Sequence, residues 1–156
     1  MTDQKSRAGI EDRKAQSTVQ VLFKTSRLLN DHALARWRRQ SGLNLRASHT
    51  ALFPHIAFEG SRLTEVAHAL GISKQAVAQL VDELVEMGVL ERKADPTDGR
   101  AKRIVFARGG DGILEGLSLL GEVEDEMRGW LGVRATQQLH ETLTRLLKHL
   151  ETERLP

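Results

Sequence analysis

A group of charged side chains near residue 100 has the clearest chemistry in the sequence. It comprises one carboxylate and three cations: Asp98, Arg100, Lys102 and Arg103. Pro96, Asp98 and Gly99 are residue types that favour turns, so the group should lie at a hairpin tip, with Asp98 closing the turn or orienting Arg100. An arginine on a narrow hairpin can enter a minor groove, where negative potential is concentrated. Because Lys102 and Arg103 alternate along a strand, only one of them should face the same partner.

A second group of polar side chains lies on a helix that should begin after Ser73, a strong N-cap residue. This helix has an apolar stripe at helical spacing: Val77, Leu80, Val81 and Leu84. Its opposite face carries side chains that could contact bases or phosphate: Lys74, Gln75, Ala78 and Gln79. Glutamine pairs with N6 and N7 of adenine, alanine contacts a thymine methyl group, and Ser73 with the first free N–H groups suits a phosphate. Gln79 could instead be a simple exposed helix former.

The elements around these residues form a winged helix-turn-helix pattern. A first short helix has apolar positions at helical spacing: Leu63, Val66, Ala67 and Leu70. Gly71 should end this helix in a left-handed conformation, and Ile72 should point inward. Residues 89–93 and 104–106 have the composition of two paired strands, and residues 59–62 can add a third. In such a motif the second helix enters a DNA major groove.

The stretch from Leu63 to Ile104, and above all the hairpin sequence DPTDGRAKR, resembles the DNA-binding core of the MarR family of transcriptional regulators. The resemblance implies a homodimer held by N- and C-terminal helices, a pseudo-palindromic site on double-stranded DNA and often release by a small effector. It also implies that Arg100 is the minor-groove arginine and that Ala78 and Gln79 point outward. After the wing the chain departs from the family pattern, since residues 106–110 read FARGG. We expect a sequence-specific regulator that acts as a repressor.

The sequence therefore predicts a mainly α fold with a small β-hairpin wing, in which a winged helix-turn-helix core is flanked by dimerisation helices. The expected divisions are a flexible N-terminal tail at 1–16, a helical dimerisation region at 17–45 and 111–156, and a DNA-binding domain at 46–110. Residues 45–57 have the pattern of a helix that Pro54 kinks or ends. The last helix carries a leucine stripe: Leu139, Leu143, Leu146, Leu147 and Leu150. The stripe is either intrachain core or a dimer seam, and a palindromic site favours the seam.

Composition narrows the class of protein. The 156 residues carry a net charge of +2 and no cysteine, which excludes a disulfide framework and a thiol-based switch. Basic charge is concentrated locally, because residues 1–49 contain ten Lys/Arg against four Asp/Glu and residues 92–108 contain six against two. Such patches suit a protein that meets phosphate with part of its surface. The sequence has no apolar run long enough for a membrane span and no apolar signal core, so we expect a cytoplasmic protein.

No pattern for catalysis accompanies these features. The sequence lacks a Gly-rich phosphate loop, a nucleophile–base pair and a metal-binding constellation, so we expect neither an enzyme nor a bound cofactor or metal. A pocket for an aromatic or anionic effector has four candidate lining residues: Arg36, Trp37, His49 and Phe53. These residues could equally be ordinary core. The alternative function is a winged-helix module that binds protein partners, and a steep salt dependence of DNA binding distinguishes the two.

Overall fold

The computed structural model describes residues 13–107 and 112–153. The chain divides into two compact units, Met1–Ile113 and Leu114–Pro156. Residues 13–16 are helical, whereas the rest of the tail predicted at 1–16 lies outside the described residues. The predicted fold class is confirmed, because helices dominate the described residues and a three-stranded antiparallel sheet forms the wing.

A long helix, α1 (Thr18–Ser41), belongs to the first unit. Ser17 caps it by accepting a hydrogen bond from the Gln20 N–H at 3.4 Å. Trp37 is its buried residue. Several other large apolar side chains of α1 are exposed: Val19, Val21, Phe23 and Leu28. Their exposure distinguishes these four side chains from the buried core of the first unit.

Pro54 ends regular helix in the segment at 45–57. The helix α2 (Ala47–Thr50) has four residues, and a 3-10 turn follows at Phe53–His55. Proline has no N–H to continue α-helical bonding and is tolerated in a first turn, which is where Pro54 lies. Of the two predicted effects of this proline, the one observed is the end of the helix.

The helix-turn-helix consists of α3 (Leu63–Leu70) and α4 (Lys74–Glu86). Gly71 ends α3 with a φ of 67°, and the Ile72 N–H then donates to the Ala67 carbonyl at 3.2 Å. Glycine adopts this left-handed conformation without the steric cost that other residues incur. The Ile72 side chain is 42% exposed, so the prediction that it points inward is wrong. The turn fixes the backbone of Ile72 through its N–H and leaves the side chain partly in solvent.

The core of the first unit forms on one face of α4. Val77, Val81 and Leu84 have no exposed surface, whereas Leu80 is half-buried. Other buried apolar side chains come from α3 and the strands: Val66, Ala67, Leu90, Ile104 and Val105. Burial of a full Val or Leu side chain is worth about 1.5–3 kcal/mol, so the apolar stripe fixes which face of α4 turns outward.

The sheet is built from β1 (Ser61–Arg62), β2 (Leu90–Asp95) and β3 (Asp98–Phe106). Its strand order is β1-β3-β2, and both pairings are antiparallel. The third strand predicted at 59–62 is therefore confirmed as a two-residue strand. β2 and β3 form the wing hairpin, and their register becomes irregular between Ala94 and Asp95, next to the turn.

Two helices form the second unit: α5 (Gly112–Leu131), which begins two residues before the unit starts at Leu114, and α6 (Val133–Glu153). Gly132 separates the two helices with a φ of 83°. The five leucines of the α6 stripe are 38% to 56% exposed. The described part of this chain contains no helix long and apolar enough to span a membrane.

Candidate nucleic-acid interface

The start of α4 presents a polar face to solvent. Ser73 caps the helix, because its Oγ accepts a hydrogen bond from the Ala76 N–H at 3.1 Å. Lys74, Gln75 and Gln79 are exposed and Ala78 is half-buried, on the side opposite the buried apolar stripe. These are the four outward residues that the sequence pattern predicts.

Backbone groups add to the polarity of this helix end. The first N–H groups of a helix have no intrahelical acceptor, and the helix dipole places partial positive charge beside them. The Ser73 hydroxyl accepts one of these N–H groups and keeps its own proton as a donor. With Lys74 adjacent, the start of α4 has the composition of an anion-binding site.

The turn of the wing is closed by two aspartates. Asp95 Oδ1 accepts hydrogen bonds from the Thr97 N–H at 2.9 Å and from the Thr97 hydroxyl at 2.7 Å. Asp98 Oδ1 accepts one from the Arg100 N–H at 3.1 Å. Of the two roles predicted for Asp98, the contact observed is the one that closes the turn. Both carboxylates use the short side-chain-to-backbone bond that makes aspartate a frequent turn residue.

The cations of β3 divide into exposed and paired residues. Arg100 and Lys102 are exposed. Arg103 is half-buried, and its Nε lies 3.2 Å from Asp95 Oδ2. Because neighbouring residues on a strand point to opposite faces, Lys102 projects away from this ion pair. Lys102 is therefore the residue of the two that is available to an external anion.

Asp95 is an electrostatic centre that the sequence analysis missed. It is 3% exposed, and its Oδ2 accepts a hydrogen bond from Arg62 Nε at 2.7 Å. The hydrogen bonds from Thr97, with further help from Arg62 and Arg103, hold the pKa of Asp95 far below its usual range. The hydrogen bond between Arg62 and Asp95 in turn raises the pKa of the Arg62 guanidinium. The turn sequence Asp95-Pro96-Thr97 was the available signal, but it predicts only the local bond to Thr97.

The four candidate effector residues have different environments. His49 is 1% exposed and its Nε2 lies 2.8 Å from Glu83 Oε2. The Phe53 ring packs edge-on against Phe106, with centroids 5.7 Å apart. Trp37 is buried, and its Nε1 has no hydrogen-bond partner within the described residues. Arg36 is half-buried. His49 and Phe53 are thus engaged with residues outside the predicted set.

Across residues 13–107 and 112–153, no three or more His, Asp or Glu side chains are grouped so that they could hold a metal ion. Other features of the first unit could meet a ligand, among them the polar face of α4, the exposed wing cations and the buried Trp37 donor.

Comparison with known proteins gives a consistent result. A model of the MarR family matches residues 41–101. The crystal structure of a probable transcriptional regulator from Pseudomonas aeruginosa is similar, with a TM-score of 0.59 and 22% identity over 85% of this chain and 98% of that one. The reduced form of MarR from E. coli matches with a TM-score of 0.64 and 20% identity over 84% and 96% of the two chains. The transcriptional regulator BldR from Sulfolobus solfataricus matches with a TM-score of 0.59 and 19% identity over 84% of this chain and 94% of that one.

The lowered pKa of Asp95 predicts a pH-dependent contribution to stability. Asp95 stabilises the fold when it is ionised, so the contribution is complete above its unfolded pKa of about 3.9 and is lost as the pH falls toward its folded pKa. Asp95→Asn should therefore lower the melting temperature at pH 7, and the difference from the unsubstituted protein should narrow as the pH falls below about 5.

Thermal melting between pH 7 and pH 3 measures this difference. Asp31→Asn is a matched control, because Asp31 forms an exposed ion pair with Arg27 on α1. A melting difference for Asp95→Asn that stays constant over the whole pH range would contradict the assignment.

Proposed function

We propose that this chain, in which residues 41–101 match a model of the MarR family and whose fold is that of winged-helix proteins, is a sequence-specific transcriptional regulator that binds double-stranded DNA as a homodimer. One arrangement carries this proposal: an exposed polar helix start and an exposed basic hairpin belong to the same compact unit. Among the described residues, Lys74, Arg100 and Lys102 have no ion-pair partner. Unpaired cations beside polar side chains are what a phosphate backbone and base edges require.

In the proposed complex α4 lies in the major groove. Gln75 and Gln79 would pair with adenine edges, and the half-covered Ala78 would contact a thymine methyl group. Ser73, the first N–H groups of α4 and Lys74 would hold a backbone phosphate. This division is typical of helix-turn-helix proteins, in which the N-terminal residues of the second helix reach the bases.

The wing would lie along the adjacent minor groove. Arg100 would enter it, since narrow minor grooves attract arginine. Lys102 would contact a phosphate, while Arg103 stays paired with Asp95. Asp98 would act indirectly, because its bond to the Arg100 N–H fixes the backbone from which Arg100 projects.

The homodimer is supported by apolar surface on the terminal helices. The α6 leucine stripe is partly exposed along its whole length, and α1 carries exposed Val19 and Phe23. A stripe of exposed leucines along a helix is typical of a protein interface. A two-fold dimer presents two α4 helices and so requires a pseudo-palindromic DNA site with half-sites about 10 base pairs apart, centre to centre, or a multiple of that.

Repression and effector release are the finer parts of the proposal. A dimer that covers an operator in the cytoplasm would block transcription until a small aromatic or anionic molecule binds. The buried, unpartnered Trp37 Nε1 supports such a site, because a buried donor without a partner is uncommon. Arg36 and Phe53 would help to line it. His49 would only shape its wall, since both its ring nitrogens are already engaged.

Removal of the wing-tip arginine tests DNA binding. Arg100→Ala should weaken binding to a selected duplex and lower the slope of log affinity against log salt by about one per bound subunit, because one phosphate-region contact per wing is lost. Fluorescence anisotropy at several salt concentrations measures both quantities. Lys93→Ala is a matched control on the same hairpin, because Lys93 is paired with Glu91. Unchanged affinity and slope for Arg100→Ala would remove the wing from the mechanism.

Introduction of a charge on α6 tests the dimer. Leu147→Glu places a carboxylate in the proposed seam and should convert the protein to a monomer in sedimentation velocity, with loss of tight DNA binding. Lys148→Glu changes charge on the opposite side of the same helix and should leave the dimer intact. A dimer that survives Leu147→Glu without loss of stability would place the interface elsewhere.

An effector must bind the DNA-competent and DNA-incompetent states with different affinities. A small aromatic carboxylic acid that raises the melting temperature should therefore also weaken DNA binding, and Trp37→Phe, which removes the indole N–H together with one of its two rings, should reduce both effects. Thermal-shift screening followed by anisotropy with each hit measures them. Acids that stabilise the protein but leave its DNA affinity unchanged would exclude effector release at this site.

A further inference from the structure

Helix α2 is short, but two adjacent side chains on it bond to two different long helices. The Thr50 hydroxyl lies 3.0 Å from Asn30 Oδ1 of α1 and 3.1 Å from the Ala47 carbonyl of its own helix, so its one proton is shared between these two acceptors. His49 Nε2 lies 2.8 Å from Glu83 Oε2 of α4. A polar connection therefore runs from α1 through α2 to α4, entirely within the first compact unit.

The His49 contact has a defined direction. His49 Nδ1 accepts a hydrogen bond from the Arg46 N–H at 3.2 Å, so in the neutral ring the proton is on Nε2 and is donated to Glu83. The histidine side chain is 2% exposed and the glutamate side chain 31% exposed. The Arg46 guanidinium also bonds to the same Glu83 oxygen. The hydrogen bond from His49 to the Glu83 carboxylate is charge-assisted, and such a bond is stronger than one between two neutral groups.

Glu83 is placed to affect the proposed base-reading residues. It follows Gln79 by four residues, so the two side chains are neighbours on successive turns of α4. The buried contacts of α4 are apolar and hold the helix against the core, but the hydrophobic effect has no preferred direction. The apolar stripe already fixes which face of α4 is buried. A directional bond at Glu83 can in addition set the tilt and the axial position of the helix, which apolar packing leaves less defined.

We propose that α2 is a positioning element for DNA binding, in which the Asn30–Thr50 and His49–Glu83 contacts together hold α4 in the orientation that enters the major groove. The proposal rests on the proposed DNA-binding function. His49, Thr50 and Glu83 are positioning residues, since none of them contacts DNA in it. Release of either contact lets α4 sample orientations that do not fit the groove. The apparent affinity then falls by the fraction of molecules in the competent orientation.

Variants at the two ends of the connection test this proposal. Glu83→Ala and Thr50→Val should each raise the Kd for a selected duplex about tenfold, as expected if only about a tenth of the molecules keep the competent orientation. The slope of log affinity against log salt should stay unchanged, because no phosphate contact is lost. Glu83→Gln keeps an acceptor for His49 Nε2–H and should bind nearly as the unsubstituted protein does. The double variant should bind no more weakly than Glu83→Ala alone, because one broken contact already frees α2.

Controls separate this effect from charge and from stability. Glu86→Ala removes the same charge from the same end of α4, where Glu86 is exposed, and should not weaken binding. Melting temperatures show whether each variant is folded. If Glu83→Ala does not fold, Thr50→Val tests the same element from its other end, because valine conserves the shape of threonine.

The outcomes are distinct. Unchanged affinity for Glu83→Ala and Thr50→Val, a salt slope that falls by about one, or fully additive losses in the double variant would each overturn the positioning role. Absence of salt-dependent binding by the unsubstituted protein would instead overturn the DNA-binding function. A tenfold loss at constant slope, with recovery in Glu83→Gln, would establish the proposal.

Discussion

Burial of one face of α4 is the constraint on which the rest of the structure depends. Val77, Val81 and Leu84 have no exposed surface, so rotation of the helix about its axis would expose several apolar side chains at once. With this face fixed, Lys74, Gln75 and Gln79 have to lie outward. The polar face is therefore a consequence of the hydrophobic core, and the Ser73 cap fixes where the helix begins.

Electrostatics then decides which cations of the wing are available. The buried Asp95 carboxylate engages Arg62 and Arg103 and ties the start of α3 to both strands of the hairpin. Arg100 and Lys102 remain exposed. A basic hairpin without an internal acid would present more charge but less defined geometry. Asp95 thus pairs with Arg62 and Arg103, whereas Arg100 and Lys102 stay exposed.

The features predictable from sequence are those that neighbouring residues determine. The N-cap at Ser73, the helix end at Gly71 and the turn at Asp98 each depend on contacts across a few residues, and all three are observed. The contacts from His49 to Glu83 and from Arg62 to Asp95 join residues 34 and 33 positions apart, and no periodicity relates them. The inward orientation predicted for Ile72 is wrong, because the tight turn leaves this apolar side chain partly in solvent.

In the proposed complex, two copies of this chain bind duplex DNA through phosphate contacts made by α4 and the wing. The affinity of the unsubstituted protein for a selected duplex, measured against salt concentration together with the number of chains bound, tests it most directly. A steep linear fall of log affinity with log salt, at two chains per site, is the result predicted. A monomer whose duplex affinity is independent of ionic strength would contradict the claim and favour a winged-helix module that binds protein partners.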